Sequence, residues 1–451
     1  MKSNLTPGQI SMAFQGALEL GMIRDKDTAV ICYDMDFLEE RIRHLISLFP
    51  ASALHGLAIK ANPLIPILGF TRQLGTGVEA ASLGEVNLAL TTGYRPDQIV
   101  YDSPVKTMAE LKFALKKGIH VNIDNLSELE RVKYLLNTIR SASTIGLRIN
   151  PQIGVGSILE SSVAGEYSKF GIPIRYRRKE LLAAFLENPW LTGVHLHVGS
   201  QGCARELLVE GIGVLYAFVV EVNSLMKAGS REPVSIFDIG GGLPISYRHE
   251  DEAPSMEEYV REIRKRAPGL FGDKSAEELS HKVTASPRHG GDDLATDFRI
   301  ITEFGRWAYT NSGWTVSRVE YVKRDPRINT AMIHVGADLF LRECLNPKDW
   351  HHEFTVLDRY GNMKTGQDEN PCNLAGPLCF SGDILAKNII LPRVEEGDYL
   401  IIHDSGGYTF SMWSRYNSRQ APRILGYFAG GKRFEVFKER ETLEEVGRFW
   451  R

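Results

Sequence analysis

Cysteine is scarce. The chain of 451 residues has five (Cys32, Cys203, Cys344, Cys372 and Cys379), odd in number and scattered. No Cys-x-x-Cys pair and no zinc-ligand spacing occurs, which excludes a disulfide framework and a structural zinc site; no metal is expected. A reducing, cytoplasmic setting follows. A basic excess is also missing. The 53 Lys and Arg against 56 Asp and Glu leave a net charge of −3, so nothing in the global charge suits a phosphate backbone, and nucleic acid is not an expected partner. No apolar run reaches the roughly 18 residues of a membrane span. The start, Met1-Lys2-Ser3-Asn4-Leu5, lacks the apolar core of a signal peptide. No repeat of fixed period is visible.

What is present is globular composition, 43% hydrophobic and 24% charged, over a length that suggests two domains. The apolar run Ala29 to Tyr33 leads to Asp36, with Glu39 three residues on, which reads as a helix start resembling a capping box. Eight strand candidates follow, at 54–59, 77–80, 98–101, 119–123, 144–149, 192–198, 234–239 and 299–303. Helical patterns separate most of them, at 82–92, 107–117, 126–138, 179–187, 205–227 and 256–266. Eight strand–helix units predict an α/β fold, a (β/α)8 TIM barrel over 29–305; a doubly wound open sheet is the rival. The stretch 267–298 is polar and reads as a surface insertion. From 306 to 451 short β-like runs (314–322, 330–335, 353–357, 387–391, 399–403) predict a smaller β domain of sandwich or barrel-like form.

Polar groups fall at the strand ends: Lys60, Arg148, His197 with Gly199-Ser200-Gln201, Gly240-Gly241-Gly242, and Glu303 with Gly305-Arg306. A barrel gathers such ends on one face, where active sites are built. Each segment alone has a plainer reading. Lys60 is either a Schiff-base amine of depressed pKa or a strand-end lysine reaching solvent. The three glycines do not fit a dinucleotide fingerprint and are either a phosphate cradle or a tight turn. His197 is a functional group or a satisfied core histidine. Glu303 either holds a pyridinium nitrogen or pairs with Arg306. In the second domain Cys379 and Asp383 lie four residues apart, and Cys379 reads as a proton donor or a small buried hydrophobe.

Together these segments resemble the PLP-dependent decarboxylases of fold type III, which include diaminopimelate, ornithine and arginine decarboxylases and share the barrel of alanine racemase. The likeness is nearest to diaminopimelate decarboxylase. It rests on Ala58-Ile59-Lys60-Ala61-Asn62, Glu79-Ala80-Ala81-Ser82, Ser168-Lys169-Phe170-Gly171, His195 to Gln201, Asp238 to Gly242, Glu303 to Arg306, Gly376 to Asp383 and Tyr416 to Arg419, in the family's order, and covers about residues 25 to 435.

The resemblance implies pyridoxal 5'-phosphate joined to Lys60, with His197 stacked on its ring, Glu303 on the ring nitrogen and Arg148 near the ring hydroxyl. It implies that Ser200, Gly241, Gly242, the Gly305-Arg306 backbone and Tyr408 hold the phosphate. It implies a head-to-tail homodimer in which Cys379 of the second subunit returns a proton and Asp383 supports the interface, with residues 1–28 packed on the β domain. Substrate contacts fall to Arg306, Arg342, Asn346, Phe380, Asp383 and Tyr408. Two positions depart from the pattern. Phe380 replaces the acid that holds a distal ammonium in the family, and the family's Arg-Pro-x-Leu-Tyr segment appears as Arg342-Glu343-Cys344-Leu345-Asn346. A phenyl ring leaves an ammonium unpaired, so diaminopimelate itself is doubtful. A related amino acid or biosynthetic intermediate, including one with a distal acid group, is the expected small-molecule substrate. The alternatives are a basic amino acid (ornithine or lysine, L or D), a racemase on the same barrel, and a regulatory protein that kept only the fold.

Overall fold

The computed structural model describes residues 4–248, 251–272, 298–368 and 370–451. Eight parallel strands close into a barrel: β2 (Leu54–Ala58), β3 (Gly77–Ala80), β4 (Ile99–Asp102), β5 (His120–Ile123), β6 (Ile145–Asn150), β8 (Gly193–His195), β9 (Ile236–Asp238) and β10 (Arg299–Thr302). Their spatial order is β5-β4-β3-β2-β10-β9-β8-β6, with β5 pairing back on β6 to close the ring. A two-residue strand, β7 (Ile172–Pro173), extends β6. All eight strands are those expected from the apolar runs. They are almost wholly buried, as strands covered by helices on one face and side chains on the other must be.

Local chemistry sets the helix limits. Ser82 and Asn125 cap the helices Leu83–Thr92 and Leu126–Leu136, and Thr107 with Glu110 forms a reciprocal capping box on Met108–Lys117. Gly93 and Gly118, both left-handed, end two of these helices. The helix Met35–Leu48 is capped by Asp34, whose carboxylate accepts from Phe37 N–H at 3.0 Å, and not by Asp36. The helix Arg205–Ala228 has the length and hydropathy of a membrane span, which the expectation of no spanning segment did not foresee. It packs as a barrel-layer helix, with 56% of its most apolar window buried.

The second sheet is mixed. Its spatial order is β15 (Ile384–Ile389), β14 (Cys372–Ala375), β12 (Asn329–Ile333), β11 (Gly313–Arg324), β1 (Ala29–Asp34), β17 (Arg423–Phe428), β18 (Arg433–Lys438). Beside β11 lies β16 (Tyr399–Ile402), which also pairs with β13 (Phe354–Leu357). The first strand of the chain is thus central to the second sheet, antiparallel to β11 and parallel to β17. It is not part of the barrel, in contrast to the expected 29–305 boundary. A run buried on both faces is compatible with either sheet, so periodicity could not assign it. Val30, Cys32, Trp314, Val316, Ile401 and Leu425 form a core there with Phe14 of the helix Pro7–Glu19. The insertion expected at 267–298 lies largely outside the described residues.

The β domain meets the barrel rim through its 403–408 loop. Tyr408 N–H donates to Ala61 O at 2.9 Å, and Asn62 Nδ2 donates to Gly406 O at 3.0 Å.

Candidate active site

Strand β2 ends in a tight turn, Ile59–Ala61, that brings Lys60 onto the rim. Its Nζ lies 2.7 Å from Glu79 Oε2, on the neighbouring strand β3. The lysine side chain keeps 39% of its surface open, while that of Glu79 keeps none. Burial weakens the ammonium, but the charges of Glu79 and Glu303 outweigh it, and the pKa of Lys60 is raised. The depressed value expected from the sequence is therefore reversed, because two acids from adjacent strands face the amine. Burial, helped by the charges of Glu303 and Asp102, pushes the Glu79 carboxyl up, against the pull of Lys60.

Glu303 follows β10 directly. Its Oε2 lies 3.7 Å from His195 Nε2 and 3.8 Å from His197 Nδ1. Burial opposes ionisation of Glu303, but the charge of His195 outweighs it and its pKa is lowered. His197 Nδ1 accepts from Gly241 N–H at 3.1 Å, which makes this imidazole neutral with its proton on Nε2. Burial, aided by Lys60 and Arg148, lowers its pKa to about 3. His195 is the opposite case. Burial opposes its charge, yet Asp102, Asp238 and Glu303 raise its pKa to about 9. Arg148 Nη1 pairs with Asp102 Oδ2 at 3.0 Å and its guanidinium sits 4.4 Å from the Phe170 ring centre.

The glycine run turns sharply beneath this group. Gly240 and Gly242 have φ of 65° and 98°, a region that costs other residues steric strain. A Cβ on Gly242 would lie 1.8 Å from Gly199 O, and one on Gly241 2.3 Å from Glu303 O. The sequence reading gave Gly241 and Gly305 to a phosphate. Here Gly241 N–H is committed to His197, and Gly305 N–H to Glu303 O at 2.8 Å. Gly242 N–H has no hydrogen-bond acceptor among the described residues and is the donor of this run left for an anion.

Across the rim, Arg306 Nε donates to Ser200 Oγ at 3.0 Å and its Nη1 to Tyr247 Oη at 2.7 Å. The Arg306 guanidinium lies 4.4 Å from the Tyr408 ring centre and 5.1 Å from that of Trp350. Arg342 lies 4.1 Å from Trp350 and 5.6 Å from Tyr408. Two guanidiniums and two aromatic rings thus form a closed cycle of cation–π contacts, each pair a favourable one. Arg342 Nη2 also donates to Tyr408 O at 3.1 Å, which steadies a tyrosine held at φ 58°.

Of the remaining expected residues, Asn346 adjoins this cluster, its N–H donating to Arg342 O at 2.7 Å and its O accepting from Trp350 N–H at 3.1 Å. Cys379 is exposed, its backbone N–H bonded to Asn417 Oδ1 at 2.8 Å; it is not the small buried hydrophobe of the plainer reading. Phe380 is 38% exposed and meets Tyr416 edge-on. Asp383 is buried and accepts from Ala337 N–H and Leu378 N–H, both at 2.6 Å. It braces the 376–383 loop. Asn346 closes a turn on Asp349 at 2.8 Å. The sequence reading assigned nothing to Asp102, His195, Trp350 or the carboxylate of Glu79. The signal was available: an acid in an apolar parallel strand cannot reach water and must have a partner.

These residues fit a pyridoxal-type cofactor. An amine, a neutral flat imidazole and an acid converge on one rim, over a glycine turn that no side chain can enter. Buried carboxylate oxygens of Glu79, Asp102 and Glu303 (Oε1, Oδ1 and Oε1) have no hydrogen-bond partner among the described residues. Residues 36–281 match the family model described as pyridoxal-dependent decarboxylase, pyridoxal binding domain. The chain belongs to this family. It is a PLP-dependent carboxy-lyase acting on an amino acid. The decarboxylase is 30% identical over 395 residues to the diaminopimelate decarboxylase of Methanothermobacter thermautotrophicus, covering 86% of this chain and 83% of the relative. It is 29% identical to that of Helicobacter pylori strain J99 over 429 residues, with 93% and 95% covered. The crystal structure of a Helicobacter pylori diaminopimelate decarboxylase complexed with L-lysine superposes with a TM-score of 0.79 at 27% identity, over 96% of this chain and 98% of that one.

Proposed function

We propose that the protein decarboxylates an amino acid bearing a distal carboxylate, with Lys60 as the amine that would hold PLP and Cys379 of a second copy as the proton donor. When bound, PLP supplies a sink for the electron pair that departing CO2 leaves behind. Glu303 would face the ring nitrogen, His197 would cover the ring face, Arg148 would lie toward the ring hydroxyl, and Gly242, Ser200 and the Arg306 backbone would hold the phosphate side. While free of the cofactor, Lys60 is an ammonium beside Glu79, and it must give up a proton before it can join PLP. A thiol brought by a second copy returns a proton to the substrate's Cα.

The observation that carries the substrate class is the Arg306–Arg342 cycle with Trp350 and Tyr408. Arg306 makes its side-chain hydrogen bonds to neutral hydroxyls, so its positive charge is available to a carboxylate. Phe380 offers no anion to pair with an ammonium. The relatives act, by name, on diaminopimelate, which has both groups at its far end. The discriminating pair is therefore 2-aminopimelate, which keeps the distal carboxylate and lacks the ammonium, against meso-diaminopimelate. CO2 release should favour 2-aminopimelate, within a panel that also holds glutamate, ornithine and lysine of both configurations. Turnover of ornithine or lysine alone would refute the distal-acid reading, and inversion without CO2 would make the protein a racemase. In Phe380→Glu, kcat/KM for diaminopimelate relative to 2-aminopimelate should rise about tenfold or more, since an acid would then pair the ammonium. An unchanged ratio removes Phe380 from the distal pocket.

The exposure of Cys379, whose backbone N–H is bonded to Asn417, supports a site completed by a second subunit. Mixing Lys60→Ala and Cys379→Ala proteins, each inactive, and letting the subunits exchange should restore roughly a quarter of the activity, because mixed dimers hold one intact site of two. No recovery despite proven exchange would place Cys379 in its own subunit's site or outside catalysis.

A further inference from the structure

A row of alternating charges runs through the barrel interior behind Glu303. Arg148 Nη1 lies 3.0 Å from Asp102 Oδ2. Asp102 Oδ1 lies 3.6 Å from His195 Nδ1. His195 Nε2 lies 3.7 Å from Glu303 Oε2. The four residues come from β6, β4, β8 and the end of β10, so the closed sheet alone sets their spacing. His195 is 0% exposed.

Each ring nitrogen of His195 therefore faces a carboxylate. A neutral imidazole would aim its lone pair at one of the two anions, so the geometry calls for a proton on both nitrogens. The separations exceed a direct hydrogen bond, and attraction between full charges in a water-poor interior holds the row together. The nearby groups are otherwise engaged. His197 is neutral because it accepts from Gly241 N–H. Lys60 bonds Glu79. Asp238 accepts from Asn122 Nδ2 and Gly240 N–H, and His120 bonds Asn122 Oδ1.

We propose that His195 and Asp102 are positioning residues that hold Glu303 as a carboxylate toward the ring nitrogen of the cofactor. The proposal rests on the reading above that Glu303 faces that nitrogen. Without the imidazolium, Glu303 would be a buried acid close to two others, Glu79 and Asp102. It would take up a proton, and a protonated carboxyl no longer stabilises a positively charged ring N–H. Asp102 keeps His195 charged, and Arg148 keeps Asp102 charged.

The test is equilibrium binding, not turnover. The full-length protein, stripped of cofactor, is titrated with PLP and with 1-deaza-PLP, in which CH replaces the ring nitrogen. Both ligands keep the aldehyde and the phosphate, so their affinity ratio reads the ring-nitrogen contact alone. Wild type should prefer PLP, and Glu303→Gln should abolish the preference. His195→Gln and Asp102→Asn should each cut the preference about tenfold or more, the equivalent of one pKa unit, with affinity for the deaza analogue little changed. Equal weakening of both ligands would mean a merely structural role and overturn the proposal, as would an undiminished preference. A wild type with no preference would remove Glu303 from the ring nitrogen and the proposal with it, leaving Lys60 to be judged by absorbance. Asp102→Asn is isosteric and carries the test if His195→Gln does not fold.

Discussion

Lys60→Ala should lower CO2 release at least about 1,000-fold, because the residue that would fix the cofactor is gone. The loaded wild-type protein should absorb between about 330 and 430 nm as a lysine-bound pyridoxal, and the variant should lose that band. The fold should survive. Lys60 is the partner of Glu79, and burial already pushes the Glu79 carboxyl up. When the ammonium is removed, Glu79 takes a proton instead of remaining a bare buried charge. Circular dichroism unchanged from wild type, with the absorbance band and turnover both lost, is the expected combination. A variant with full turnover would show that another amine does this work.

Gly242→Ala should be the most disruptive single methyl group in the barrel. The added Cβ would meet Gly199 O at 1.8 Å, and the backbone sits at φ 98°. Gly199 belongs to the segment that places His197 and Ser200, so neither loop can move without displacing the site. Strain and overlap together should cost more than about 3 kcal/mol, read as a lower denaturation midpoint and failure to retain PLP. Gly447→Ala is the control. It lies in the helix Leu443–Phe449 with nothing within 4 Å of the new Cβ, and should be neutral or stabilising by up to about 1 kcal/mol. A Gly242→Ala protein as stable as the control variant would mean that the 199–200 segment yields freely.

The barrel was legible because its strands are short apolar runs between helices with their own caps, and both signals are local. The second sheet was legible only in part. Strands β14, β17 and β18 were not anticipated. Arg433–Lys438 is an edge strand that begins as an alternating run, Arg433-Phe434-Glu435-Val436, a short strand signal that the sequence reading missed. Strand β1 was read into the barrel, because burial on both faces hides which sheet a strand joins. In the site, Lys60, His197 and Glu303 stood out as polar groups ending apolar strands. His195 did not. Its partners Asp102 and Glu303 are 93 and 108 residues away in sequence, and only the closed ring of strands brings them within 4 Å. The deepest charges are set by non-local pairing, which spacing along the chain does not record. Asp383 has a further role that its place near a cysteine does not announce: it accepts from the backbone N–H groups of Ala337 and Leu378.

The position of Ala29–Asp34 between β11 and β17 has a consequence for synthesis on the ribosome. This strand emerges first, yet its partners at Gly313–Arg324 and Arg423–Phe428 emerge only after the whole barrel has been made. Until then both of its edges lie open, and a buried apolar strand with unpaired edges is a seed for aggregation. The barrel is in effect an insertion within the β domain, between its first and second strands. A fragment cut at residue 305 carries an orphan strand, and one begun at 306 lacks the centre of its sheet, so neither half can mature without the other.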